Sequence, residues 1–101
     1  MLLDNRVESQ LERGLLEVEM LPEDIVPVHT TDPDRTYRCP VARALNRATG
    51  KRWRVGDNTA AIAGNPDEAC SVWITSPETR RFIQRFDNGD RVTPITVVLT
   101  R

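Results

Sequence analysis

At 101 residues and 11.5 kDa, the chain has the size of one domain and no room for a second core. A charged fraction of 29% and a hydrophobic fraction of 39% place it with folding sequences rather than disordered ones, and its net charge of −1 is not that of a basic tail. Apolar runs such as Val97-Val98-Leu99 fall far short of the roughly 20 residues of a membrane span, so no membrane partner is expected.

Residues 4–13 place Val7 and Leu11 four apart among acids and arginines, which predicts a short amphipathic helix ending at Gly14. Residues 1–14 are thus read either as that helix or as a mobile segment of a single domain covering 1–101. From Leu16 the period changes to two: Leu16, Val18 and Met20 alternate with Glu17 and Glu19, which predicts a strand over 15–21 with one face wet. Pro22-Glu23-Asp24 reads as a turn, Val26-Pro27-Val28 as extended chain, and 29–37 as a loop.

The segment from Cys39 to Gly50 is the clearest helix. Proline suits its first position, glycine the left-handed residue after its last turn, and Val41, Ala44, Leu45 and Ala48 form one apolar stripe. Arg52 to Val55 alternates, Gly56-Asp57-Asn58 supplies a tight turn, and 59–63 returns as the second arm of a hairpin. Residues 69–75 give a third strand, in which Val72 and Ile74 face opposite to Trp73. Ser76-Pro77-Glu78 caps a second helix with Phe82, Ile83 and Phe86 on one side, ended by Asn88-Gly89. Ile95, Val97 and Leu99 form a last strand after Pro94.

The order βαβββαβ, with a short leading helix, predicts an α+β domain: an antiparallel or mixed sheet with two helices on one face. The other sheet face is left partly uncovered and is a candidate binding surface. The expected core is Val18, Met20, Val41, Leu45, Val55, Ile62, Val72, Ile74, Phe82, Ile83, Phe86, Ile95, Val97 and Leu99.

Charge is divided along the chain. Residues 1–35 hold nine acids and three arginines, a net of −6, and the remainder carries +5. Arg38, Arg43, Arg47, Lys51, Arg52 and Arg54 follow one another with no acid between them, a pattern that attracts phosphate. Two readings stay open: the acidic part folds over the basic part and neutralises it, or the basic segment binds nucleic acid. In the second, Arg43, Arg47, Lys51, Arg52 and Arg54 hold phosphates and Trp53 stacks a base. If Trp53 faces the helices it is core instead. Arg80, Arg81 and Arg85 on the second helix extend the basic surface.

Cys39-Pro40-Val41-Ala42-Arg43-Ala44-Leu45, together with Arg81-Phe82-Ile83-Gln84-Arg85-Phe86-Asp87-Asn88-Gly89-Asp90, resembles a set of short uncharacterised proteins common in phages and GC-rich bacteria. They share a helix opened by Cys-Pro, a glycine-containing hairpin, a strand bearing Trp, and a helix closing in Phe-Asp-x-Gly. The resemblance covers roughly residues 15–100. It implies the α+β fold and a phage or prophage setting, and no functional residue, because every shared element is a cap, a turn or a core position.

Cys39 is the candidate reactive thiol, since a helix N-terminus beside Arg38 favours ionisation. His29, Asp32 and Asp34 lie upstream, so a Cys-His-Asp hydrolase can be written down, although nothing in the spacing fixes its geometry. The competing reading makes Cys39 a small apolar boundary residue. Cys39 and Cys70 are expected to be reduced rather than paired. One histidine and two distant cysteines lack metal-ligand spacing, and no glycine-rich phosphate loop is present, so neither metal nor cofactor is expected. The chain gives way at once from Met1-Leu2-Leu3 to Asp4, Arg6 and Glu8, unlike a secretory leader, so a cytoplasmic setting is expected. These features together point to a small non-enzymatic interaction module contacting a host or phage protein, with a nucleic-acid-binding accessory protein as the alternative and a homodimer left open.

Overall fold

The computed structural model describes residues 5–29, 31–64 and 72–101. Helix α1 (Asn5–Arg13) leads into strand β1 (Leu15–Glu19) through Gly14, whose φ of 76° is the left-handed turn that ends the helix. A single 3-10 turn (Pro22–Asp24), a short helix α2 (Arg35–Arg38) and helix α3 (Pro40–Thr49) follow. Strands β2 (Trp53–Val55), β3 (Thr59–Ile62) and β4 (Trp73–Thr75), helix α4 (Pro77–Asp87) and strand β5 (Thr96–Thr100) complete the chain.

The five strands form one antiparallel sheet in the order β1-β5-β4-β3-β2. β5, last in sequence, inserts between β1 and β4, so the two ends of the chain's sheet-forming part meet. Helix α3 packs against β1 and β2, and α4 against β4 and β5, which puts both helices on one face of the α+β domain, as the order of elements implies. Helix α2 falls largely within 29–37, which the sequence predicts to be a loop. It forms one helical turn because Asp32 accepts the Asp34 N–H at 2.8 Å and its C=O takes the Arg35 N–H at 3.1 Å, a turn that α2 continues.

Caps do what their residues dictate. Cys39 Sγ accepts the Ala42 N–H at 3.5 Å, Pro40 fills the first helical position, and Gly50 closes α3 at φ 70°. Ser76 Oγ accepts the Thr79 N–H at 3.2 Å to open α4. Thr79 is itself buried, and its Oγ1 accepts the Val98 N–H at 3.1 Å, so a helix side chain continues the β5 ladder beyond the end of β4.

The inner layer comprises Leu16, Val18 and Met20 from β1 and its extension, Val41, Ala44 and Leu45 from α3, Phe82 and Ile83 from α4, and Val97 and Leu99 from β5. Trp53 and Trp73 join it, fully buried and edge to face with ring centroids 6.0 Å apart. Ile62, Phe86 and Ile95 pack at its margin. Two residues of the expected core lie outside it: Val72 and Ile74 are 40% and 52% exposed. They do face opposite to Trp73, but it is Trp73 that points inward. One parity of β4 buries an indole and Thr75, whose Oγ1 donates to Asp57 C=O at 3.0 Å, and the larger apolar surface of tryptophan decides between the two. The early part of the expected third strand, 69–71, lies outside the described residues.

Candidate functional site

Helices α3 and α4 leave one face of the sheet uncovered, while its two edges, β1 and β2, meet α1 and α3. Even-numbered residues of β1 bond to β5, as Met20 N–H to Ile95 C=O at 3.0 Å shows, so odd-numbered ones turn their backbone groups to the open edge. There Glu17 N–H donates to Gln10 Oε1 at 2.7 Å, and Glu19 C=O accepts from Arg47 Nη2 at 3.1 Å. At the opposite edge Trp53 N–H donates to Asn46 Oδ1 at 2.7 Å. Side chains from α1 and α3 therefore occupy both edges, which blunts edge-to-edge pairing.

The face turned away from the helices carries Leu15, Thr100, Ile74 and Thr59 in one row across four strands. Leu15 is 44% exposed, and Val72, just before β4, adds another exposed apolar side chain near Ile74. Glu17 pairs in register with Val98 at the β1 side, with Glu19 beyond it, and both acids are exposed. Arg54, in register with Ala61, stands at the β2 side. The open face thus sets Leu15, Ile74 and Val72 among threonines, with two carboxylates at the β1 margin and Arg54 at the β2 margin.

The basic segment does not form one patch. Arg47 donates from Nη2 to Asp24 Oδ2 at 2.7 Å, and Arg38 pairs with Asp32 at 3.3 Å and Asp34 at 3.6 Å. Arg43 Nε donates to Arg38 C=O at 2.9 Å, and Arg52 stacks on the Tyr37 ring at 4.1 Å. Lys51 is exposed at the end of α3. Arg43 and Arg47 ride on α3 beneath the sheet, whereas Arg54 alternates with buried Trp53 and Val55 and so belongs to the opposite face. Trp53 corrects the stacking expectation: it is fully buried, its Nε1 donates to Thr49 Oγ1 at 2.9 Å, and no face of the indole is offered to a base. Acidic residues of the first third do fold over part of the basic segment. The Asp24 carboxyl is pushed up by burial, but the Arg47 guanidinium and the Leu21 N–H outweigh this and hold it below the usual carboxylate range.

Cys39 is buried at 7% exposure, and burial pushes its thiol above the ordinary value despite the N–H groups of Ala42 and Val41. It lines a cavity of about 160 Å³ with Arg35, Thr36, Asp57, Ile83 and Asp87, and His29 is not among the lining residues. The lone imidazole is exposed elsewhere, its Nδ1 2.7 Å from Thr31 Oγ1. The triad that the sequence allows on paper is not brought together. Cys70 lies outside the described residues. Arg35 also borders a larger cleft of about 340 Å³, walled by Ile25, Val28, Phe86 and Val92; its guanidinium pairs with Asp87 and reaches the carbonyls of Val28 and His29, each at 3.4 Å. This cleft is not legible in the sequence, because it forms between the chain after the 3-10 turn and the end of α4, segments some 60 residues apart.

Among the described residues no helix is long and apolar enough to cross a membrane. No protein-family model matches the chain, no curated protein is similar to it, and no solved structure matches it.

Proposed function

We propose that this chain is a small non-enzymatic interaction module that docks a protein partner on the open face of its sheet. The carrying observation is the exposure of Ile74, Leu15 and Val72 on a face whose two edges are already occupied by side chains of α1 and α3. Exposed apolar clusters with polar borders mark interaction sites in soluble domains. Glu17 and Glu19 at one margin give the partner its chemistry: an apolar contact surface bordered by lysine or arginine, steered by charge and held by apolar burial. The resemblance to phage and GC-rich bacterial proteins supplies the setting, a host or phage protein in the cytoplasm.

A photo-crosslinking residue at position 74, compared with one at exposed Gln84 on α4, tests this in extract of the natural host. The expected result is one discrete adduct from position 74, absent from position 84, and lost when Glu17 and Glu19 are both changed to Lys. Equal adducts from the two positions, or an adduct indifferent to the charge reversal, defeats the reading. An adduct of two copies of this chain would make the module self-associating and defeat the choice of a foreign partner.

A further inference from the structure

Between α4 and the segment returning to β5 runs a groove of about 200 Å³, separate from the open sheet face. Phe82, Val92 and Ile95 supply its apolar floor, and Arg81, Arg85 and Thr93 its polar wall. Arg81 and Arg85 stand one helical turn apart, where like charges repel and weaken an isolated helix. Three arginines of the fold are matched to acids: Arg35 to Asp87, Arg38 to Asp32 and Asp34, Arg47 to Asp24. Among the described residues neither Arg81 nor Arg85 has such a partner. Among the described residues Glu78 is the single acid lining the groove, at the first turn of α4. Arg85 Nη2 donates to Arg91 C=O at 3.4 Å, which ties that side chain to the segment just before Val92 and leaves its remaining N–H groups for a ligand.

We propose that this groove binds a phosphate monoester carrying an apolar group. Two guanidinium groups and a hydroxyl present more donors than a carboxylate can use, and their two charges match a dianion rather than a monoanion. The ester's apolar part lies over Phe82, Val92 and Ile95, where it displaces water from carbon surface. A phosphodiester carries one charge per phosphate, so nucleic acid matches the two guanidinium groups less well than a monoester dianion.

Phenyl phosphate is the probe, followed by amide NMR shifts on the full chain, with inorganic phosphate, benzoate and a short single-stranded oligonucleotide as comparisons. Saturable shifts at 81, 85 and 92–95 are expected, with phenyl phosphate binding about tenfold or more tightly than inorganic phosphate or benzoate. Arg81→Gln and Arg85→Gln should each weaken it about tenfold, the loss of one charge-assisted hydrogen bond, without lowering the thermal midpoint, because both side chains are exposed and their mutual repulsion is relieved. Lowering the pH from 7.5 to 5 should also weaken binding, since the second phosphate ionisation falls near pH 6. The proposal is overturned by an absence of saturable shifts at about 10 mM probe, by equal affinity for all the anions, by indifference to Arg81→Gln, or by an oligonucleotide that binds there while phenyl phosphate does not.

Discussion

Asp24 shows how a single residue ties the divided charge of this chain together. Its carboxylate accepts the Leu21 N–H at 2.9 Å and the Arg47 guanidinium at 2.7 Å, which joins the 3-10 turn to α3. A carboxyl held below its ordinary range contributes stability that is fully present above the unfolded-state value of 3.8 and is lost as the pH falls through the lower folded-state value. Asp24→Asn should therefore lower the thermal midpoint at pH 7, and its difference from wild type should shrink as the pH is taken below 3.8 in calorimetry. Thr49 has a comparable role beneath the sheet. Its hydroxyl donates to Leu45 C=O at 2.7 Å and accepts from Trp53 Nε1, so Thr49→Val leaves a buried indole N–H unpaired and should cost about 1–3 kcal/mol in denaturant unfolding. At Cys39 burial opposes ionisation, so in a Cys70→Ser background a thiol reagent should label it slowly in the native protein and fast once the protein is unfolded. Labelling of the native protein at the rate of a free thiol would contradict that reading.

Local signals were readable where one element contains its whole explanation. In α3 the proline, the apolar stripe and Gly50 are enough to place the helix and both its ends, and the residue at φ 70° cannot be replaced cheaply: Gly50→Ala should cost about 1 kcal/mol by the same unfolding measurement. The same holds for the hairpin of β2 and β3 and for the Ser76-Pro77 start of α4. The alternation of β4 was equally visible, but a period of two defines two faces without saying which is buried. That choice belongs to Trp53, twenty residues earlier, whose ring meets Trp73 in the core. α2 escaped notice because four residues hold too little pattern to see, and the turn that starts it is made by Asp32 rather than by residues of the helix itself.

For the molecule as a whole, the sequence pointed to the uncovered sheet face but assigned Val72 and Ile74, the residues that give it character, to the interior. Only the order β1-β5-β4-β3-β2 and the packing of both helices on one side reveal them as surface. The groove along α4 was half visible, as the arginines at 81 and 85, while its other wall comes from a segment that reads as plain loop. Because Ile74 already stands in water, Ile74→Glu should change stability by less than about 1 kcal/mol while removing the apolar centre of the docking face. The affinity of the captured partner for this variant is the most direct measurement of the account. Wild type and Ile74→Glu should unfold at nearly the same temperature and differ at least about tenfold in dissociation constant, as expected when a central apolar anchor is lost; equal affinities for the two proteins would contradict the assignment of that face.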